Sequence, residues 1–228
     1  TAKPVQLTKH STPVTSWQFA PDSKRIYFIA PDSYSKDNKE RIEQKFTVRI
    51  RNEEPPLSQL WAFELETKQE KRLTSGQLGS VSDVTISPDS RWVAFRGTPK
   101  DRYQRTVTEA NIYAELRLLD TVSGTLEALS DNTEIAESAA SFSPDSKQTA
   151  YAASDNFEYF RNGRVYVRSL SCGQWKKLGD GFDGDVSASF WSADGKTIYF
   201  TEGWRATNQL FAVSTEPGTV AQTAKKKG

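Results

Sequence analysis

The sequence predicts an all-β fold: four four-stranded antiparallel blades of a truncated β-propeller. Three observations carry that reading. The first is a phrase written four times: Phe19-Ala20-Pro21-Asp22-Ser23-Lys24, Ile86-Ser87-Pro88-Asp89-Ser90-Arg91, Phe142-Ser143-Pro144-Asp145-Ser146-Lys147 and, degraded, Trp191-Ser192-Ala193-Asp194-Gly195-Lys196. Its aspartates stand 67, 56 and 49 residues apart. The shortest spacing is the clean unit and the longer ones carry insertions. The second is the train of strand signals that follows each phrase. The third is the phase of the repeat at the start of the chain.

Pro-Asp-Ser/Gly-Lys/Arg is turn chemistry. Proline presets φ at the second turn position, the Asp carboxylate accepts backbone N–H groups just ahead of it, and Ser or Gly tolerates the tight geometry. An apolar run follows each turn: Ile26–Ile29, Trp92–Phe95, Thr149–Ala152 and Ile198–Phe200. Flanked by apolar residues on both sides, the phrase reads as a hairpin. A third strand is predicted at Gln59–Leu65, Ile112–Leu119, Arg164–Leu170 and Gln209–Val213, and a short last strand at Lys71–Thr74, Glu127–Ser130, Lys176–Leu178 and Val220–Gln222. Four strands per unit of this size make a propeller blade. The near-continuous apolar runs fit sheets covered on both faces. Trp17, Trp61, Trp92, Trp175, Trp191 and Trp204 are expected mostly as packing between blades.

The repeats are expected at about 9–74, 75–130, 131–179 and 180–223, within one domain, 1–228. Residues 5–8, Val5-Gln6-Leu7-Thr8, match Lys71-Arg72-Leu73-Thr74 and read as the last strand of a preceding or closing blade. A ring closed at four blades holds one strand too many, so the expectation is part of a larger propeller, cut near a repeat boundary. Two blade faces would then lie open, and the isolated chain is expected to self-associate.

Thirty basic and 29 acidic residues leave a net charge of +1. That balance argues against nucleic acid and charged membrane surfaces, which need a basic face. No stretch approaches the roughly 20 apolar residues of a bilayer span. One cysteine, Cys172, and one histidine, His10, supply neither an internal disulfide nor a zinc ligand set. No cofactor is implied. The chain has no Gly-x-Ser-x-Gly elbow, Walker loop or dinucleotide fingerprint. Glu134 with Glu137, and Asp183 with Asp185, stand at the starts of innermost strands, where carboxylates meet a substrate amine or serve as turn and capping residues; the second role is the expected one.

The insertions point to a binding face, because insertions map to loops on one side of such repeats. They lie at about Pro31–Pro56, Gly97–Asn111, Ser154–Gly163 and Glu202–Asn208, each between second and third strands. The first opens with a mixed-charge stretch, read as a short helix or a mobile loop, and continues as an alternating strand or hairpin. Together they offer Tyr34, Arg102, Tyr103, Arg105, Phe157, Tyr159, Arg161, Trp204 and Arg205. Mixed aromatics and arginines suit protein or peptide contact. The candidate contact set is Arg102, Tyr103, Arg105, Tyr159, Arg161, Trp204 and Arg205. No residue of the chain is a candidate for catalysis or for a metal.

The turn phrase with its apolar strand resembles the repeats of TolB-like propellers and of the propeller domains of prolyl oligopeptidase-family serine peptidases. Leu60–Thr67, Arg72–Gly76, Lys45-Phe46-Thr47-Val48 leading to Pro56–Trp61, Ser87–Gly97 and Arg205–Phe211 look like an acylaminoacyl-peptidase or dipeptidyl-peptidase propeller. The resemblance implies that an α/β-hydrolase domain following the propeller carries the nucleophile and its triad, while the propeller restricts access and helps hold the peptide. No catalytic residue carries over. Some dipeptidyl members hold the substrate amine with adjacent glutamates; Glu53-Glu54 is the one adjacent pair here, and its context differs. The expected partners are thus the hydrolase domain of a parent chain and a peptide substrate. The alternative is a TolB-like module that grips a protein or peptide with no enzyme attached. A self-contained four-bladed scaffold is opposed by the surplus first strand. Architectural relatives exist in exported and cytosolic forms, so location stays open, with an exported or periplasmic setting favoured over a cytoplasmic one.

Overall fold

The computed structural model describes residues 3–45, 56–98, 114–130, 132, 135–204, 206–216 and 221–222. The chain divides into two units, Thr1–Ser82 and Asp83–Gly228.

The first unit holds β1 (Ser16–Phe19), β2 (Arg25–Pro31), β3 (Ser58–Glu64) and β4 (Glu70–Arg72), an antiparallel meander in sequence order. A helix, α1 (Lys36–Glu43), stands between β2 and β3. Ser35 caps it by accepting from Asn38 N at 3.3 Å, and none of its residues is buried. The mixed-charge half of the first insertion is therefore a solvated helix. Its alternating half lies outside the described residues.

Three further sheets have the same order: β5 (Ser80–Ile86, whose first three residues precede the division), β6 (Trp92–Thr98), β7 (Glu115–Asp120) and β8 (Leu126–Ala128); β9 (Ser141–Phe142), β10 (Gln148–Ser154), β11 (Gly163–Ser169) and β12 (Trp175–Leu178); and β13 (Phe190–Trp191), β14 (Thr197–Trp204), β15 (Thr207–Ser214) and β16 (Ala221–Gln222). The four four-stranded antiparallel sheets match the predicted blades.

The repeated phrase builds one turn four times. The backbone closes from Ser23 N to Ala20 O, Ser90 N to Ser87 O, Ser146 N to Ser143 O and Gly195 N to Ser192 O, at 2.8–2.9 Å. The aspartate then accepts from the amide two residues on, Lys24, Arg91, Lys147 or Lys196. In three copies the preceding serine relays the network. Ser143 Oγ, for instance, donates to Asp145 Oδ1 at 2.7 Å and accepts from Gln148 N at 2.9 Å. That hydroxyl is the main reason the Asp145 carboxyl lies below its usual range. The residue after each aspartate has positive φ, from 56° to 68°, which explains Ser or Gly there.

One interaction recurs at the centre of three sheets. Cross-strand partners Phe28 and Trp61 stack at 6.2 Å, Tyr151 and Tyr166 at 5.5 Å, and Phe200 and Phe211 at 5.5 Å. In the second sheet Phe95 faces Arg117 instead. Within the second unit these aromatics bind neighbouring sheets. Ala94, Leu116 and Leu118 pack with Tyr151, Tyr166 and Phe142. Ala150, Val165 and Val167 pack with Phe200, Phe211 and Trp191. Phe182, in the connection before β13, meets the last stacked pair edge-on at 5.8 and 5.0 Å. His10 takes the same place in the first unit, edge-on to Phe28 at 5.3 Å and Trp61 at 4.5 Å, its Nδ1 held 2.8 Å from Glu70 Oε2.

Three expectations meet the structure differently. Residues 5–8 are unpaired here, with Val5 and Leu7 exposed, and their assignment to a preceding or closing blade stays a proposal. Most of the described tryptophans pack as expected, Trp61, Trp92 and Trp191 against core clusters, whereas Trp17 and Trp175 are exposed. The proposed insertion at 202–208 is a hairpin tip, since β14 and β15 stay paired up to Trp204 opposite Thr207.

Two substitutions test these contributions. Phe200→Ala opens a cavity in a sealed inter-sheet core, and urea unfolding of the chain should show a loss of about 3–5 kcal/mol. Gly195→Ala places a Cβ that meets nothing nearer than 3.7 Å, so the left-handed backbone alone sets its cost, about 1 kcal/mol.

Candidate functional site

The connection from β10 to β11, residues 154–163, presents the most developed surface among the described residues. A short 3₁₀ turn, Asp155–Phe157, opens it. Asn156, Phe157 and Phe160 all have positive φ, 52–61°. Non-glycine residues in that region are strained, and such strain concentrates at binding loops. Packing and charge hold the base of the loop. Phe157 stacks on Tyr166 at 4.7 Å, Trp175 leans on the same ring at 5.5 Å, and Tyr166 Oη donates to Ser154 O at 3.1 Å. Lys177 Nζ donates to Asp155 Oδ1 at 2.5 Å and Asn156 Oδ1 at 3.0 Å, and lies 3.0 Å from Asp180 Oδ1. This bond from Lys177 drives the Asp155 carboxyl below its ordinary range, and the same bond raises the Lys177 ammonium.

At the loop tip Tyr159 and Phe160 stand in solvent, their rings 6.3 Å apart. Arg161 pairs with Glu158, Nε to Oε2 at 2.9 Å. The arrangement is a fixed base carrying an exposed aromatic pair beside a planar cation. It suits an extended peptide, with rings for apolar side chains and a guanidinium for carbonyls or carboxylates.

Of the sequence-predicted contact residues, the structure thus brings Tyr159 and Arg161 together. Arg102, Tyr103, Arg105 and Arg205 lie outside the described residues, and of Trp204 only the strand pairing is described. Sequence reasoning missed Phe160 as the most exposed ring of the loop; the Tyr-Phe-Arg triplet was its signal. In the first unit, Tyr34 lines a pocket of about 400 Å³ with Ser11, Thr12, Asp32 and Lys39. It lies at the matching connection of its repeat, between β2 and β3. Asp32 is tied to Arg72, Nη2 to Oδ2, at 3.0 Å.

The acidic candidates divide. Asp185 Oδ1 accepts from Gly163 N at 2.6 Å, a capping role, and Asp183 is exposed. Glu134 lies outside the described residues. Glu137 is buried, which the sequence did not reveal; a lone acid among small residues, Ile135 to Ala140, was the available sign. Arg96 Nη2 donates to the Glu137 carbonyl at 2.5 Å, and Arg96 Nε is 3.4 Å from Asp83 Oδ2. Burial pushes the Glu137 carboxyl up to about 7, only partly opposed by the Leu116 amide and the Arg96 charge. No group of three metal-ligating side chains occurs among the described residues. No helix among them is long and apolar enough to cross a membrane.

No family model matches the chain. It is 23% identical over 235 residues to dipeptidyl-peptidase 5 of Porphyromonas gingivalis, covering 92% of this chain and 34% of that protein. It is 27% identical over 145 residues to dipeptidyl-peptidase 5 of Arthroderma otae, covering 60% of this chain and 20% of that protein. The chain therefore spans about a third or less of the length of these relatives. Among solved structures, it aligns with an acylaminoacyl peptidase of Pyrococcus horikoshii at a TM-score of 0.57 and 16% identity, over 94% of this chain and 32% of the other. The β-propeller domain of the trilobed protease of Pyrococcus furiosus aligns at a TM-score of 0.54 and 17% identity, over 92% and 57%. A putative TolB of Agrobacterium tumefaciens aligns at a TM-score of 0.57 and 17% identity, over 96% and 65%. The fold is propeller-like, and the chain resembles both the propellers of prolyl oligopeptidase-family peptidases and TolB-like propellers.

The Glu137 carboxyl makes a prediction. Its folded value lies above the usual 4.5, so the folded state binds more protons than the unfolded state between about 4.5 and about 7. Stability contributed by the protonated form is full below that window and is lost as pH rises through it, by on the order of 3 kcal/mol. Glu137→Gln should flatten this slope. Urea unfolding at pH 5 and pH 8 checks it.

Proposed function

We propose that this chain is the non-catalytic propeller portion of a serine peptidase of the prolyl oligopeptidase family. It gates access and helps dock peptide substrates for an α/β-hydrolase domain. The carrying observation is the match of 92% of the chain to about a third of a dipeptidyl-peptidase. In that setting the peptidase chemistry, an acyl-enzyme on a serine, belongs to the other domain. The residues of this chain act as a wall and a handhold. The exposed Tyr159, Phe160 and Arg161 are the described part of that handhold; Arg102, Tyr103, Arg105, Trp204 and Arg205 are proposed to extend it.

The likeness to TolB over 96% of the chain favours a second reading, a propeller module that binds a protein or peptide and has no enzymatic role. The two readings divide on the partner. A substrate wall holds short unstructured peptides weakly, whereas a binding module holds one folded partner.

Binding of fluorescein-labelled peptides, followed by anisotropy, tests the first reading. The chain should bind them without cleaving them, and a Tyr159→Ala/Arg161→Ala double variant should weaken binding about tenfold, as loss of a contact hot spot does. Absence of peptide binding, or cleavage by the chain alone, contradicts the assignment of roles.

A further inference from the structure

The pocket of about 400 Å³ in the first unit is built from three segments, and each is held in place. The first is the end of β2, where Pro31 pairs with Ser58 and Asp32 N donates to Leu57 O at 2.8 Å. The second is the stretch ahead of β1. His10 anchors its start through Glu70 and the Phe28 and Trp61 rings, and Thr15 N anchors its end by donating to Ile29 O at 2.9 Å. Between these points Thr12 Oγ1 donates to Pro31 O at 2.6 Å and ties the second segment to the first. The third is α1, fixed by its Ser35 cap, with Lys39 N donating to Ser35 O at 3.0 Å.

The chemistry of the lining is one-sided. Pro13, Pro31, Pro56 and Tyr34 supply apolar rings, and proline brings no amide hydrogen. Asp32 spends its charge on Arg72, Nη2 to Oδ2 at 3.0 Å. On α1, Glu40 pairs with Lys36 at 3.8 Å. Lys39 lines the pocket and pairs with no carboxylate among the described residues. A pocket whose acid is neutralised and whose cation is not favours an anion, and its rings favour an apolar body attached to that anion. The end of a peptide chain carries both on one residue. The volume lies at the small end of ligand pockets, about 300–1,000 Å³, and suits a chain end rather than a folded surface.

We propose that this pocket binds the free C-terminal end of a peptide, its carboxylate on Lys39 and its last apolar side chains against Tyr34 and the prolines. The site is separate from the 154–163 loop, which contributes no lining residue, and it does not rest on the peptidase reading.

Fluorescence anisotropy with two peptides tests it. Both carry fluorescein on the amino end and finish in Leu-Phe; one has a free carboxylate and the other a C-terminal amide. The chain should bind the acid about tenfold more tightly than the amide, the factor one charge-assisted hydrogen bond brings. Lys39→Met keeps the apolar stem and should reduce the acid to the affinity of the amide, whereas Lys39→Arg should retain the preference. Tyr34→Ala should weaken both peptides by about tenfold. Lys39 and Tyr34 are both exposed, and circular dichroism verifies that each variant folds. The Tyr159→Ala/Arg161→Ala variant should keep the preference for the acid. Equal binding of acid and amide by the wild type overturns the proposal, as does binding of neither. So does a preference that survives Lys39→Met, or one that is lost with Tyr159 and Arg161, which would put the carboxylate at the loop.

Discussion

The seating of a stacked aromatic pair on small and aliphatic side chains of the neighbouring sheet is the contact the second unit depends on. A four-stranded meander has two apolar faces and covers neither by itself. Ala94 and Ala150 leave the room that Tyr151 and Phe200 fill, and each buried ring contributes roughly 1.5–3 kcal/mol. The turn phrase serves this contact. By closing β9 on β10, and β13 on β14, through the same serine–aspartate relay, it sets Phe142 opposite Thr149 and Trp191 opposite Ile198, the first-strand aromatics that join each core.

A stiff stack of sheets leaves variation to the connections, and the candidate site follows from that division. Ser154–Gly163 departs from a core strand pair and ends in one, so its base is anchored at Tyr166, Lys177 and Arg164. Arg164 donates to the carbonyls of Gly163, Phe182 and Gly184 and so ties the site strand to the segment that leads into the next sheet. With both ends fixed, the loop can hold three left-handed non-glycine residues, Asn156 and Phe157 at its base and Phe160 at its tip. The chain's one histidine pairs with Glu70 and packs edge-on against Phe28 and Trp61, away from this loop in the first unit.

Much of the fold was legible in the sequence because its signals are local. Pro-Asp-Ser-Lys specifies a turn by itself, and apolar runs of strand length flank it. Strand identity and sheet order followed from that. The site was legible only in outline. Tyr159 and Arg161 were named from an insertion, but the strain at Asn156, Phe157 and Phe160 depends on φ values that Ser154–Gly163 does not advertise. Burial of Glu137 and exposure of Trp17 are tertiary outcomes. Each depends on what another segment covers, and a single strand's pattern does not contain that. The hairpin at Trp204–Thr207 was mistaken for an insertion because its polar residues look like a loop, whereas ladder hydrogen bonds carry them.

The proposal that these sheets serve a serine hydrolase without performing its chemistry is testable on the parent protein. The most direct measurement is labelling of the native protein that contains this sequence with a fluorophosphonate probe, read against its intact mass. A labelled species far heavier than 25.6 kDa is the predicted result. An unlabelled species of about that mass would contradict the claim and favour the binding module.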